Sequence, residues 1–593
     1  MSTIAASLAL HDPIAWNELR NALDGSGLLV DSWDCDSHAR FAVARGTGTD
    51  VSIASGGSAI LHGYVSFADL EAISGVPAAE IYNPCETVLR CVRRFGHEIL
   101  ARISGAFTLI DWNGPEKKLT VCRDWIGLVP LFAARHHGGW ILCTRTKPLL
   151  AISSFVATPD RPALQHYQYS GWSPRGQSLL QDVIHCEPGT ISVFEVGSVR
   201  SRKYQLPAPA RISRSLHVAA SELGQSLGLA VRHHLPASKR IGIAVSGGVD
   251  SIYMAALVRD ALPDRDLTAF SYGFGPEDPN IRGAAQIAGL LDCNHIAVTT
   301  EPEELPELLR ESIFHLEEPV GRDQYPMLYK MALAARSQVD SLITGNCGDA
   351  VFGTPALASQ YVKAARWPIL RKPLEDLATE DFSGDTPRSL LGKALVSLKH
   401  LKSHAATPPA ARVLGTPRGD NRCHFPTTRP PLLAALRHDL ENAAGEQAIK
   451  ANMLDSASGL DLRQPYGDVS LIGLGLSIPD EWRFSTTHTK IALRMAAERA
   501  VPANLAWAPK GVSRLRHDDR LWEVVEAMLA DKVSEERVQS RGLLEPKSVA
   551  ALKRLPARRQ RSMRWLYRLW YLIALEIWCE LFLDNRGQRV VAP

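Results

Sequence analysis

One stretch of the chain runs Ile241-Gly-Ile-Ala-Val-Ser-Gly-Gly-Val-Asp-Ser251. Its first five residues form a short, continuous, β-branched apolar run, which predicts a buried parallel strand, and the residues from Ile252 onward predict the helix that follows. Between them, two glycines let the backbone approach an anion, the amides at the helix start point into the gap, and two serine hydroxyls add donors. The stretch therefore predicts a phosphate-binding loop.

The loop lacks the Gly-x-x-x-x-Gly-Lys-Ser/Thr spacing of the usual P-loop, so we expect pyrophosphate to be held by Ser246, Gly247, Gly248 and Ser251 without that lysine. Asp250 would repel a polyphosphate unless a divalent cation lay between them, and it therefore indicates Mg²⁺. An ordinary glycine turn is the alternative, which the full Ser-Gly-Gly-x-Asp-Ser string disfavours. The string resembles the pyrophosphate loop of the ATP pyrophosphatase family, whose members cleave ATP between the α and β phosphates to adenylate a substrate.

From about residue 211 the pattern alternates between helix and strand. Apolar residues at helical spacing over 216–231 lead into the strand at 241, and further strands are predicted at 267–272, 295–298 and 341–344, with helices near 281–291 and 327–337. Such alternation predicts an α/β domain with a parallel sheet covered on both faces. Ligands of these sheets lie at the carboxyl ends of strands, which adds Tyr272 and Gly345 to the residues expected at ATP.

Residues 1 to about 205 predict an α+β domain, because short apolar strands alternate with glycine and proline turns. Four segments occur in the order found in the glutaminase domain of asparagine synthetases: Ser104-Gly-Ala-Phe-Thr-Leu-Ile-Asp111, Cys122-Arg-Asp-Trp-Ile-Gly-Leu-Val-Pro-Leu-Phe132, Thr144-Arg-Thr-Lys-Pro-Leu-Leu150 and Glu187-Pro-Gly189. The resemblance implies the αββα fold of N-terminal-nucleophile hydrolases.

The glutaminase chemistry of that family needs a cysteine directly after the initiator methionine, and this chain has Ser2. The family's Asn-Gly loop is His62-Gly63 here, and the aspartate before Gly105 is Ser104. These departures imply a domain that no longer hydrolyses glutamine. A working Ser2 nucleophile is the alternative.

The length of 593 residues exceeds what one hydrophobic core usually supports, so we expect two domains, 1–205 and 206–593. The formal net charge of +3 does not indicate a nucleic-acid partner, and the basic segment 547–568 predicts a solvated helix face. Ten cysteines without a Cys-x-x-Cys pair favour reduced thiols in a cytoplasmic protein. No signal peptide or membrane span is expected, because the apolar segment 569–583 contains Glu576 and Glu580 and predicts a buried amphipathic helix.

The strand at 341–344 continues into Thr344-Gly-Asn-Cys-Gly-Asp-Ala-Val-Phe-Gly353. Asparagine synthetases carry a similar Ser-Gly-x-Gly-x-Asp-Glu-x-Phe-Gly string, in which the aspartate helps to bind the metal. The resemblance implies that Asp349 joins Asp250 as a Mg²⁺ ligand, although Ala350 replaces the family's glutamate. Upstream, Glu317-Glu-Pro-Val320 resembles the family's acidic Asp-Glu-Pro segment, and capping of the next helix is an equal alternative for its glutamates.

A further segment, Gly459-Leu-Asp-Leu-Arg-Gln-Pro-Tyr-Gly-Asp468, is similar to the Leu-Glu-x-Arg-x-Pro-Phe-Leu-Asp stretch of asparagine synthetases. Asp461 matches the family glutamate. In β-lactam synthetases the corresponding acid helps to deprotonate the attacking amine, so the resemblance makes Asp461 the candidate base. The alternative, left open by the sequence, is a structural ion pair between Asp461 and Arg463.

Two lysines complete the predicted site. Lys490 begins a Lys-Ile-Ala-Leu-Arg segment similar to the family's Lys-x-x-Leu-Arg helix, and it is expected at the nucleotide. Lys510 matches the family lysine that contacts the pyrophosphate and the transition state. Its predicted role is electrostatic, because negative charge moves toward a fixed ammonium when the α–β bond breaks.

Together these segments resemble the asparagine synthetase and β-lactam synthetase superfamily, with a proline-rich insertion at about 355–445. The degenerate glutaminase domain and the departures at Ala350 and Asp461 are most similar to lasso-peptide cyclases. That resemblance implies an ATP- and Mg²⁺-dependent macrolactam synthetase acting on a precursor peptide, and it leaves open whether a leader-peptide protease and a leader-binding protein act with it. The alternatives are an amide ligase using ammonia and a β-lactam synthetase.

Overall fold

The computed structural model describes residues 2–10, 12–24, 30–46, 51–174, 176–204, 215–353, 445–479, 482–484, 488–509, 518–553 and 563–588. The proline-rich insertion predicted at about 355–445 lies outside these residues except for its last position. Lys510 and the middle of the basic segment 547–568 also lie outside them.

The N-terminal part contains two stacked antiparallel sheets. Their strands are β1 Thr3–Leu8, β2 Val30–Asp34, β3 Ala39–Ala44, β4 Val51–Ile53, β5 Ala59–Val65, β6 Gly105–Asn113, β7 Lys118–Arg123, β8 Phe132–His136, β9 Gly139–Cys143, β10 Val183–His185, β11 Thr190–Glu195 and β12 Ser198–Lys203. The strand orders are β10-β8-β9-β1-β3-β2 and β12-β11-β7-β6-β5-β4. Alternate side chains such as Phe41 and Ile110 fill the space between the two sheets.

Helices cover the outer faces of both sheets, which gives the αββα layering that the sequence predicts. Helix Pro13–Asp24 packs on the first sheet and helix Pro84–Phe95 on the second. The remaining helices of this part are Phe67–Ser74, Lys147–Ala151 and Arg161–Ser170, with 3₁₀ turns at Ala78–Glu80 and His97–Arg102.

The C-terminal part is built on a parallel sheet of five strands: β13 Ile241–Ala244, β14 Leu267–Gly273, β15 Asn294–Thr299, β16 Ser341–Thr344 and β17 Asp461–Arg463. They lie in the order β15-β14-β13-β16-β17, and every pair is parallel. The predicted parallel sheet is therefore confirmed. β17 was not predicted, because three residues are too few to form a recognisable apolar run.

Helices lie on both faces of this sheet and continue beyond it, at Leu216–His233, Val249–Ala261, Pro279–Leu290, Leu305–Leu316, Gln324–Arg336, Gly348–Phe352, Gly445–Ala457, Val469–Ser477, Ile491–Ala497, Ala503–Ala506, Asp519–Lys532, Glu535–Arg541, Pro546–Lys553 and Met563–Trp578. Shorter turns occur at Pro302–Glu304 and Pro465–Gly467, and a π-helix at Cys579–Asp584. The central strand β13 and the helix after it are almost completely buried.

The apolar segment 569–583 is helical and mostly buried, as predicted, and its two acidic residues have cationic partners. Glu576 lies 3.0 Å from Arg541, and Glu580 lies 2.7 Å from Arg310. Across the described ranges, no helix combines the length and the hydropathy needed to cross a membrane.

Candidate active site

The phosphate loop lies at the carboxyl end of β13, where the sequence predicts it. The Ser251 hydroxyl accepts from the Ser246 amide at 2.9 Å and lies 2.9 Å from the Ser246 hydroxyl, while the Gly248 amide donates to Ser246 Oγ at 3.3 Å. Gly248 caps helix Val249–Ala261 without a side-chain hydrogen bond to the first amides. Those amides and the positive end of the helix dipole are suited to an anion.

A glycine in the next helix sets the space available to this loop. A Cβ added at Gly283 would lie 2.5 Å from the Cα of Gly247 and 3.1 Å from its nitrogen. The helix Pro279–Leu290 therefore packs directly against the loop backbone. Sequence reasoning missed Gly283, because a single glycine in a helix carries no signal for the loop that it contacts.

The loop after β16 packs against Asp250. A Cβ at Gly348 would lie 2.7 Å from Asp250 Oδ1, and one at Gly345 would lie 3.0 Å from the Ser251 nitrogen. The hydroxyl of buried Tyr466 donates to the Asp250 carbonyl at 3.1 Å. Glycines in the β16 loop thus permit the close approach that places Asp349 beside Asp250.

Lys490 joins the two carboxylates. Its Nζ lies 2.5 Å from Asp250 Oδ2 and 2.5 Å from Asp349 Oδ1, and its side chain is 2% exposed. The second oxygen, Asp250 Oδ1, is buried and has no hydrogen-bond partner among the described residues. Two converging carboxylates, one with an orphaned oxygen, fit the oxygen ligands that Mg²⁺ requires.

The segment that leads to Lys510 is held by hydrogen bonds from helix Ile491–Ala497, which directly follows Lys490. Buried Arg494 donates to the Ala506 carbonyl at 2.7 Å and to the Ala508 carbonyl at 3.0 Å. Lys510 itself lies outside the described residues, so its predicted role stays a prediction.

Tyr272 lies at the carboxyl end of β14, as expected. Ala244, the last residue of β13, pairs with Phe270, so Tyr272 lies two residues beyond that pair, as Ser246 does in the loop after β13. Burial, and then the carboxylates of Asp323 and Asp278, raise the pKa of the Tyr272 hydroxyl, which therefore stays protonated as a donor at neutral pH.

The structure does not bring Asp461 to the phosphate loop. Asp461 pairs with Ser341, the first residue of β16, whereas Gly345 follows the last residue of that strand. Four residues at about 3.3 Å each separate the two positions by about 13 Å along the sheet. Asp461 Oδ2 instead accepts from Arg463 at 2.8 and 2.6 Å, which is the ion pair that the sequence left open.

The glutamates of the acidic segment also have structural partners. Glu317 Oε2 is buried and accepts a hydrogen bond from the Thr146 hydroxyl at 2.7 Å. This bond links the C-terminal part of the chain to the N-terminal part. Glu318 lies 3.4 Å from the buried ammonium of Lys450. The next helix is preceded by Asp323, and neither glutamate is its N-cap.

The residues at the expected glutaminase centre are buried. Ser2 is 1% exposed, and its hydroxyl accepts from the Gly46 amide at 3.0 Å. His62 is 1% exposed, and burial, followed by the charges of Arg145 and the N-terminus, lowers its pKa to about 3. The Ser104 hydroxyl accepts from the Val469 amide across the interface between the two parts. Ser104 therefore joins the two parts.

Known proteins resemble the chain over most of its length. Residues 222–580 match the family model "Asparagine synthase", and residues 81–205 match "Glutamine amidotransferase domain". The chain is 28% identical over 531 residues to "Putative asparagine synthetase [glutamine-hydrolyzing]" of Mycobacterium tuberculosis (strain ATCC 25618 / H37Rv), covering 84% of this chain and 80% of that protein. It is 22% identical over 452 residues to "Asparagine synthetase [glutamine-hydrolyzing] 1" of Bacillus subtilis (strain 168), covering 71% and 69%.

The first family model covers more than half of the chain, and the predicted phosphate loop, Asp250, Asp349 and Lys490 lie inside the matched residues. The chain therefore belongs to the asparagine synthase family and is an ATP-dependent carbon–nitrogen ligase of that type.

Proposed function

We propose that this ligase adenylates an Asp or Glu side chain of a precursor peptide and closes a macrolactam with the peptide's N-terminal amine, releasing AMP and pyrophosphate. The observation that carries the proposal is the state of the N-terminal domain. Ser2 stands where the resemblance to the glutaminase domain expects the nucleophilic cysteine, and the Ser2 hydroxyl is buried against Gly46. A chain that makes no ammonia from glutamine must use either free ammonia or an amine carried by its substrate, and we propose the second.

The carboxyl edge of the parallel sheet supplies the groups that adenylation requires. The amides at the start of helix Val249–Ala261 and the two loop serines hold the phosphates. The ammonium of Lys490 lies between the carboxylates of Asp250 and Asp349 and offsets their repulsion. Bound Mg²⁺, held by these two aspartates, would neutralise the phosphates. Lys510 is proposed to stabilise the negative charge that develops when pyrophosphate leaves.

Polar and aromatic side chains beside the nucleotide loop support a large polar acceptor such as a peptide. Burial, then the carboxylates of Asp323 and Asp278, and then Tyr325, raise the pKa of the Tyr272 hydroxyl at the end of β14. Holding the peptide with its amine beside the activated carboxyl is the larger catalytic demand, because ring closure depends on orientation. A leader-peptide protease and a leader-binding protein are proposed partners that would deliver such a peptide.

The test is mass spectrometry of leader-free peptides encoded near the chain's gene, each with an internal Asp or Glu, after incubation with the protein, Mg²⁺ and ATP. Loss of one water from a peptide, matched by AMP formation, supports the cyclase. The Asp250→Asn variant is the control and should form neither product. Asparagine made from aspartate and ammonia, with every peptide unchanged, would show that the ammonia-using ligase is correct instead. Closure of a β-lactam on a small substrate would favour the β-lactam synthetase.

The state of Ser2 gives a second test. The protein should release no glutamate from glutamine, and Ser2→Ala should leave peptide-dependent AMP formation unchanged. Glutamate release that Ser2→Ala abolishes would restore the glutaminase and remove the observation on which the proposal rests.

A further inference from the structure

Three potential metal ligands converge at one end of the N-terminal domain, away from the ligase site. Asp12 directly precedes helix Pro13–Asp24, His136 is the last residue of β8, and His137 lies in the turn to β9. Asp12 Oδ2 lies 3.8 Å from His136 Nε2 and 3.7 Å from His137 Nε2. We propose that Asp12, His136 and His137 bind a divalent transition-metal ion, with Zn²⁺ as the expected cation.

The distances are close to those of a tetrahedral zinc site. Bonds of about 2.0–2.1 Å place tetrahedral ligands about 3.4 Å apart. The two ligand–ligand distances exceed that value by a few tenths of an ångström, and the ligand atoms of all three residues lie within 4.8 Å of one another. We expect side-chain rotations to close the remaining gaps when the ion binds.

The backbone holds the carboxylate in place before any metal binds. Asp12 Oδ1 accepts from the amides of Ile14 and Ala15, each at 3.0 Å, and so caps the helix. The helix cap thus uses one carboxylate oxygen and leaves Oδ2 facing the two imidazoles.

The turn that carries His137 brings both imidazoles to Asp12. His137 has φ +46° and Gly138 has φ +83°, which is the geometry of a two-residue hairpin turn. His137 therefore directly follows His136 at the end of β8, and the Nε2 atoms of the two rings lie 3.7 and 3.8 Å from Asp12 Oδ2.

The ligand types suit a divalent cation. Two imidazoles and one carboxylate form a nitrogen and oxygen ligand set typical of zinc.

Two neighbouring features define the rest of the site. The Ser154 hydroxyl lies 3.0 Å from His136 Nε2, so this hydroxyl has to turn aside when that nitrogen binds a metal. The His137 side chain is 57% exposed, which leaves the fourth position open to water. The bound ion would join the β8–β9 hairpin to the start of the helix and so stabilise the domain.

The test uses the full chain, freed of metal by a chelator and without a histidine tag. Zn²⁺ is titrated in competition with a chromogenic chelator, and thermal unfolding is followed with and without Zn²⁺. His137→Asn suits the turn, and Asp12→Asn keeps the helix cap, so both variants remove a ligand with little change to the metal-free fold. His38→Asn is the matched control, because His38 faces a single carboxylate, Asp36, at 3.8 Å.

One tight equivalent of Zn²⁺, with a rise in the unfolding temperature, is expected for the natural chain and for His38→Asn. Both effects should be lost in His137→Asn and Asp12→Asn. Co²⁺ should give a tetrahedral visible spectrum in the natural chain and in neither of these two variants. Equal tight binding and equal thermal shifts in all four proteins would overturn the proposal, since the ion would then lie on other histidines or cysteines. Absence of tight binding to the natural chain would overturn it as well.

Discussion

Lys490 Nζ lies 2.5 Å from Asp250 Oδ2, although 240 residues separate them in the sequence. The same ammonium lies 2.5 Å from Asp349 Oδ1. One buried cation thus offsets the repulsion between two carboxylates that extend from the loops after β13 and β16. The position and charge of the proposed metal site depend on this lysine.

Lys490→Gln should lower the rate of AMP formation by about 100-fold or more, because a preorganised charge at the phosphate site is lost. It should also destabilise the fold by about 3 kcal/mol, since two partly buried carboxylates lose their shared partner. AMP release and urea unfolding measure the two effects. Lys532→Gln is the control, because it removes a lysine 3.3 Å from Glu580 at the C-terminal helix and should leave AMP release unchanged. Full activity of Lys490→Gln would contradict the assignment.

Gly283→Ala should weaken ATP binding by about tenfold or more while the chain stays folded, because the added Cβ would lie 2.5 Å from the Gly247 Cα and displace the phosphate loop. Gly289→Ala, in the same helix, adds a Cβ with no heavy atom within 4 Å among the described residues. That control should bind ATP normally and gain about 0.5–1 kcal/mol of stability from the better helix former. Nucleotide affinity by calorimetry checks both, and equal affinities would contradict the packing argument.

The sequence predicts the features that depend on local pattern. The apolar runs at β13, β14 and β16 and the glycines at Gly247, Gly248 and Gly345 place the phosphate loop at the correct edge of the sheet, because the carboxyl ends of parallel strands share one edge. Contacts between distant segments are not encoded in this way. The packing of Gly283 on Gly247 depends on the angle between helix Pro279–Leu290 and the phosphate loop, which the sequence pattern does not predict.

The register of β17 determines where Asp461 lies in the sheet. Its motif matches, and the sequence alone left its role open between base and ion pair. The pairing of β17 with β16, which three residues could not predict, places Asp461 beside Ser341 at the amino edge. In contrast, the convergence of Asp250 and Asp349 was expected, since each follows a predicted strand and the resemblance to asparagine synthetases implies that both bind the metal.

Asp461→Asn should reduce AMP formation less than fivefold, because Asp461 lies about 13 Å along the sheet from the level of Gly345, at the opposite edge from the loops after β13 and β16. It should cost about 1–3 kcal/mol of stability, since Arg463 loses a charge-assisted partner at 2.6 Å. A double-mutant cycle with Arg463→Gln should show coupling between the two residues. A loss of activity above 100-fold with unchanged stability would restore Asp461 as the base.

Asp455 gives a pH dependence of folding that lies outside the ligase chemistry. It lies on helix Gly445–Ala457, is 5% exposed, and burial raises the pKa of its carboxyl from 3.8 to about 8. The folded chain therefore binds a proton that the unfolded chain releases between these two values, and this group makes the free energy of unfolding fall as the pH rises from about 4 to 8. At about 1.4 kcal/mol per pH unit, the cost at pH 7 is about 4 kcal/mol.

Asp455→Asn keeps the shape of the protonated side chain and removes its titration, so the variant should match the natural chain near pH 4 and exceed its stability increasingly toward pH 8. Urea unfolding at several pH values measures the difference, and the exposed Asp264→Asn is the control that should follow the natural chain throughout. Parallel stability curves for Asp455→Asn and the natural chain would mean that the carboxyl is ionised in the fold, and that its helix opens enough to hydrate it.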